Sequence, residues 1–226
     1  MPGNFPVFAR YFPVFPSISQ YFIEQLVSTR YYPPMSQQSP APEQTVAELV
    51  EQLGHCACSE AFSTSLNPAQ WAALRYFERA NRFSRTVSAF AHYHGTTRGT
   101  ASQTTRALVQ KGFLRRLPAK HDQRSFRLDL TDRARQVLAS DPFAALVNAA
   151  GSLGPAQCAL LAEGLRTMLA QVQDKRARKP FGVCTSCRHL QADEGACAER
   201  CLLQDELLEA QDLGRICVDY RSRAAH

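Results

Sequence analysis

Nowhere in the 226 residues does an uninterrupted apolar run approach the roughly 20 residues that a membrane-spanning helix needs, so no membrane partner is expected. There is no basic segment followed by an aliphatic run near Met1, which argues against a signal peptide. No glycine-rich phosphate loop follows a strand-like segment, and His92, His94 and His121 have no carboxylate partner evident from spacing. The chain offers no enzymatic constellation, and no catalytic residue is assigned. Its length suits one fair-sized domain with appendages and ample material for a core.

Residues 1–34 differ in composition from the rest, with Phe5, Phe8, Tyr11, Phe12, Phe15, Tyr21, Phe22, Tyr31 and Tyr32 interleaved with prolines. Met35 then opens a polar leader. Residues 1–40 are expected to be an extension without a fold, with translation starting at Met35; the functional alternative is a partner-binding arm.

Beyond it the local signals are helical. Val46, Leu49, Val50 and Leu53 form a stripe at helical spacing that points to a helix over 43–53 ending near Gly54. Asn67 before Pro68 has the chemistry of a cap and first turn, and it places Trp71 and Phe77 in a core helix. An apolar segment with Val87, Phe90 and Ala91 leads to Gly95, a residue that accepts the positive φ of a tight turn between crossing helices. Thr97 is the natural cap of the next helix, expected to run to about Gln110 with Gly112 as its stop. Its exposed face would carry Arg98, Thr100, Ser102, Gln103 and Arg106, side chains that hydrogen-bond to base edges or phosphates.

After Gly112 the period changes from helical to alternating. Residues 113–117, a loop over 118–123 and a strand with Phe126, Leu128 and Leu130 on one side make a hairpin with one buried face. Lys120, His121 and Arg124 make its tip cationic. Helix, turn, helix and basic hairpin in that order outline a winged helix-turn-helix. Charge agrees: residues 71–140 hold fourteen Arg or Lys against four Asp or Glu, whereas the whole chain carries only +6, so the basic surplus is concentrated where groove-binding elements lie.

Gly95-Thr96-Thr97-Arg98 through Leu108, then Lys111-Gly112-Phe113-Leu114, then Asp122-x-Arg124-x-x-x-Leu128-x-Leu130-Thr131 resemble the MarR family of bacterial regulators, the last motif being the most specific. The resemblance covers roughly residues 45–173. It implies an obligate homodimer on double-stranded DNA, with recognition helices in successive major grooves and wings in minor grooves. By position it puts Thr97, Arg98, Thr100, Ser102, Gln103 and Arg106 at the recognition helix and makes Arg124 the wing-tip arginine, oriented by Asp122. Thr104 and Thr105 stand where this helix usually packs aliphatic residues, and Ala134 replaces the common glycine after the wing.

Two further helices are expected, one from Asp132 towards Ala150 and one over 155–173 with Leu160, Leu161, Leu165, Met168, Leu169 and Val172 as a stripe too apolar for a solvated helix. Such terminal helices resemble the family's dimer interface. The charged run over 174–180, ended by a proline, reads as a boundary. The expected organisation is an extension over 1–40, a winged-helix and dimerisation body over 41–174, a linker over 175–182 and a cysteine-rich tail over 183–226. The fold class is mainly α with a small β-hairpin wing (α+β), carrying a metal-bound tail.

Cys184, Cys187, Cys197, Cys201 and Cys217 place five thiols in that tail. A C-x-x-C pair followed by further cysteines has metal-site spacing. Cys184, Cys187, Cys201 and Cys217 are the preferred ligands, because Cys201 would open a helix over 202–213 and Cys217 would follow its stop at Gly214. Zinc is the expected ion; an iron–sulfur cluster or disulfide-forming thiols are the alternatives. Cys56, Cys58 and Cys158 are expected to be small buried residues. The expected function is a sequence-specific, dimeric, cytoplasmic DNA-binding regulator, a repressor by family tendency, whose affinity responds to metal, redox state or a small ligand held between its DNA-binding and dimerisation helices. The alternatives are a nucleic-acid-docked metal or thiol enzyme, and a regulator whose tail is a protein-interaction module.

Overall fold

The computed structural model describes residues 40–59, 65–118, 126–175, 179–193 and 198–223. The expectations for residues 1–39, including a start at Met35, lie outside the described residues, as do Lys120, His121, Arg124 and Cys197.

In chain order the helices are α1 (Pro42–Ser59), α2 (Pro68–Arg79), α3 (Val87–His94), α4 (Arg98–Gln110), α5 (Asp132–Leu138), α6 (Ala144–Gly151), α7 (Pro155–Lys175) and the short α8 (Ala210–Leu213). The strands are β1 (Leu114–Pro118), β2 (Phe126–Leu130), β3 (Gly182–Val183), β4 (Leu190–Asp193), β5 (Ala198–Cys201), β6 (Glu206–Leu208) and β7 (Ile216–Cys217). They form three small antiparallel sheets, β1-β2, β3-β7 and β4-β5-β6.

Gly54 does not stop α1, which runs on to Ser59. A mid-helix glycine costs about 1 kcal/mol relative to alanine, which weakens a helix without ending it. Asn67 does cap α2: its Oδ1 accepts from Gln70 N at 2.9 Å, while Asn67 N donates to Gln70 Oε1 at 3.3 Å, a reciprocal capping box. Trp71, Leu74, Tyr76 and Phe77 from this helix are fully buried with Phe90, Leu108, Leu114, Leu128 and Leu130.

Pro142 splits the helix expected to extend from Asp132 towards Ala150, since a proline cannot supply the amide that would continue it. The helix expected over 202–213 is also corrected. Asp205 takes a left-handed φ of 50°, a turn joins β5 to β6, and only Ala210–Leu213 is helical. Cys201 N and O belong instead to a ladder with Leu190 and Glu206 as its register partners.

The tail packs on the winged-helix body. Ile216 is buried in the same core as Phe77 and Phe90, and Asn81 N donates to Ile216 O at 3.0 Å. By contrast, Val46, Leu49, Val50 and Leu53 of α1 and Leu160, Leu161, Leu165, Met168, Leu169 and Val172 of α7 are exposed. Cys56 is exposed and Cys158 half-buried, against the expectation of burial; the Cys158 thiol donates to Ala150 O. Among the described residues no single helix is long and apolar enough to cross a membrane; α6 and α7 pass that test only together, bent by 120°.

Candidate nucleic-acid interface and cysteine cavity

Helix α3 begins at Thr86, whose Oγ1 accepts from Ala89 N at 3.1 Å, and ends at Gly95 with φ 65°. That left-handed residue redirects the chain to Thr97, whose Oγ1 accepts from Thr100 N at 3.1 Å and starts α4. Thr97 is therefore a cap in the first instance, and its hydroxyl also meets Thr100 Oγ1 at 2.9 Å.

Ala101, Thr105 and Leu108 seat α4 on the core, one helical face at i, i+4 and i+7. Around the rest of the helix Arg98, at its first position, Thr100, Gln103 and Arg106 are exposed and Ser102 is half-buried. Among the described residues neither Arg98 nor Arg106 takes part in a salt bridge. Thr105 tolerates its buried position because its Oγ1 donates back along the helix to Ala101 O at 2.9 Å, and Thr104 does the same to Thr100 O at 3.1 Å. Ala134, fully buried where the family pattern has glycine, closes the first turn of α5 on the Thr131 hydroxyl at 3.3 Å.

Gly112, with φ 75°, turns the chain into the hairpin, and Thr131 Oγ1 donates to its carbonyl at 2.8 Å. The strands pair from Leu114 opposite Leu130 to Pro118 opposite Phe126. Leu128 and Leu130 are buried as alternation implies, but Phe126 is 38% exposed and lies under the Arg116 guanidinium at 4.6 Å. The unexpected member is Asp129. It is buried on the strand and bonded to Arg85 Nη1 at 2.6 Å and Arg115 Nη2 at 2.9 Å. Burial alone would raise its pKa; the Arg115 hydrogen bond and the Arg85 charge outweigh that and hold it below the usual carboxylate value.

Arg82, one of the basic residues counted in 71–140, turns away from any nucleic-acid face. It points into the tail, where it meets Glu206 at 3.4 Å, Glu209 at 3.1 Å and Asp212 at 3.6 Å and donates to Leu207 O. These partners lie more than a hundred residues away along the chain, so no local pattern announces them. Of the histidines, His92 Nε2 lies 2.8 Å from Lys179 O, an acceptor that requires a protonated nitrogen. His94 is exposed overall while its ring contacts those of Phe90, Tyr93 and Tyr76; desolvation, then Arg75, lowers its pKa.

Cys184, Cys187, Cys201 and Cys217 line one cavity together with Asn81 and Phe83 from the segment after α2. Cys184 begins a single 3₁₀ turn after β3, and Cys187 N donates to Cys184 O at 2.9 Å across it. Burial, with Cys217 next, pushes the Cys184 thiol up to about 11, and burial likewise raises that of Cys217. A separate cleft of about 210 Å³ lies between Arg75, Tyr76, Arg79, Tyr93, His94 and Phe143.

A capped second helix, a glycine turn before it and a two-stranded wing after it define a winged helix-turn-helix. Residues 64–125 match a MarR family domain. Among solved structures the chain is similar to the transcriptional regulator BldR from Sulfolobus solfataricus (20% identity, 57% of this chain and 92% of that chain covered, TM-score 0.47). It is also similar to a MarR transcriptional regulator from Methanosarcina mazei Go1 (17%, 58% and 98%, TM-score 0.46) and to MepR of S. aureus in a DNA complex (16%, 58% and 98%, TM-score 0.47). No curated protein matches the chain in sequence.

Proposed function

We propose that the protein is a homodimeric, sequence-specific DNA-binding transcriptional regulator, a repressor acting in the bacterial cytoplasm, whose affinity responds to metal, redox state or a small ligand. The observation that carries the reading is α4: a helix capped at Thr97, seated by Ala101, Thr105 and Leu108, with Arg98, Thr100, Gln103 and Arg106 exposed together beside the wing. These side chains suit contacts with base edges and phosphates. The apolar stripes of α1 and α7 support a second copy of the chain as their cover, because a monomer rarely exposes contiguous apolar surface of that extent. The Arg75-lined cleft is the place for a small effector.

A dimer that presents two such helices about one DNA turn apart recognises a pseudopalindrome. Selection of binding sites from random duplexes tests this, with Arg98→Ala and Gln103→Ala measured on the selected site. Each substitution is expected to cost about 1–3 kcal/mol and to relax preference at one base position. Binding by both variants equal to that of the parent would remove α4 from the base-reading role.

A further inference from the structure

The cysteine cavity is built from separate pieces of chain. Cys184 and Cys187 come from the turn after β3, Cys201 ends β5 and Cys217 ends β7. Cys184, Cys187 and Cys217 are buried, and the space they enclose with Cys201 is about 10 Å³, room for about one water-sized occupant. Asn81, itself fully buried on the body, turns its amide Nδ2 to Cys184 Sγ at 3.8 Å, so the cavity also holds a donor aimed at sulfur.

We infer that Cys184, Cys187, Cys201 and Cys217 bind one zinc ion as four thiolates, with Asn81 as the outer-shell donor to Cys184. A set of four sulfurs selects zinc or an iron–sulfur cluster among biological metals. The spacing of these cysteines matches neither of the tight ferredoxin runs, which favours the single ion. As the side chains stand, no three His, Cys, Asp or Glu among the described residues are set at ligating positions around one point. Closing the site requires the sulfurs to move towards one another, and a step between staggered χ1 wells carries a sulfur roughly 3 Å.

Asn81 gives the ion a consequence beyond the tail. The same residue accepts from Ser84 N at 2.9 Å and donates its backbone N–H to Ile216 O, one residue before Cys217. An ion held by the four sulfurs therefore ties the tail to residues 81–84 of the DNA-binding body. The inference names the ion for the metal-responsive part of the proposed function, and its test reads metal directly, independent of whether DNA is bound.

The test uses the full-length chain, expressed with both zinc and iron supplied and purified without oxygen. Elemental analysis is expected to give about one zinc per chain and a spectrum without visible absorption. Titration of the intact protein with an organomercurial should release that zinc to a colorimetric chelator as about four thiols react. Cys187→Ser is expected to lose the zinc and Cys158→Ser to keep it. If Cys187→Ser does not fold, the mercurial titration on the unaltered chain still decides. Iron with visible absorption, or thiols that titrate fully with no zinc released, would overturn the inference.

Discussion

If the tail is part of the body's core, shortening one side chain of the tail must destabilise the whole winged helix. Ile216 is the residue to cut. It is 6% exposed, sits in the cluster with Trp71, Phe77 and Phe90, and is supplied by β7, far along the chain from the helices it touches. Ile216→Ala removes three carbons, worth about 0.8 kcal/mol each in transfer free energy, and leaves a cavity that the neighbouring rings fill only in part. The expected loss is about 3 kcal/mol, within the ordinary span for such truncations. At roughly 2–4 °C per kcal/mol for a body of this size, Tm should fall by about 6–12 °C. Differential scanning calorimetry measures it, with Leu202→Ala, at a side chain 52% exposed on the same tail, expected to stay within about 0.5 kcal/mol of the parent. A Tm change below about 2 °C for Ile216→Ala would refute a shared core, because no buried isoleucine in a cooperative unit is that dispensable.

The Asp129 carboxylate has a folded pKa below its unfolded value of about 3.9, so its stabilisation is present at neutral pH and is lost as pH falls through the folded pKa. Asp129→Asn is expected to cost about 2 kcal/mol at pH 7 and to flatten the acid limb of stability below about pH 4, both read from urea melts across pH; an unchanged acid limb contradicts the role given to Arg85 and Arg115. Thr105→Val keeps the shape of a buried side chain and deletes a hydroxyl whose acceptor, Ala101 O, already has a helical donor. Stability within about 1 kcal/mol of the parent is expected in the same melts, whereas a loss above about 2 kcal/mol would mean that the hydroxyl supports the helix.

The parts legible in the sequence were those with local chemistry. Asn67 and Thr97 each accept from an amide three residues on, and Gly95 and Gly112 take the left-handed φ that their turns need. The illegible parts depend on partners distant in the chain. Leu202, Leu203, Leu207, Leu208 and Leu213 have a spacing compatible with a helix, but Leu202 N is taken by His189 O at 2.8 Å and Leu207 stands in register with Arg200. Strand pairing overrode the stripe. Phe126 shows the same limit on a smaller scale, since alternation assigns a face but not whether that face extends under the end of the strand.

The charge count shows most clearly how composition and structure divide the work. Of the basic residues concentrated in 71–140, Arg75 pairs with Asp141, Arg82 with the carboxylates of the tail, and Arg85 and Arg115 with Asp129. Lys111 and Arg133 hold backbone carbonyls of Ser65 and Lys111 respectively. Charge already neutralised by a bonded carboxylate releases few counterions on binding a phosphate, so the regional surplus overstates the electrostatic reach of the surface. The same cations do structural work at the junction of wing and tail. Residues 80–86 give Arg85 O to Leu128 N of β2 at 2.8 Å on one side, and receive Val218 N on Ser84 Oγ at 3.1 Å on the other. One short segment is thus bonded to both the wing strand and the tail, and the arginines that a charge count assigns to DNA are in part what fastens it there.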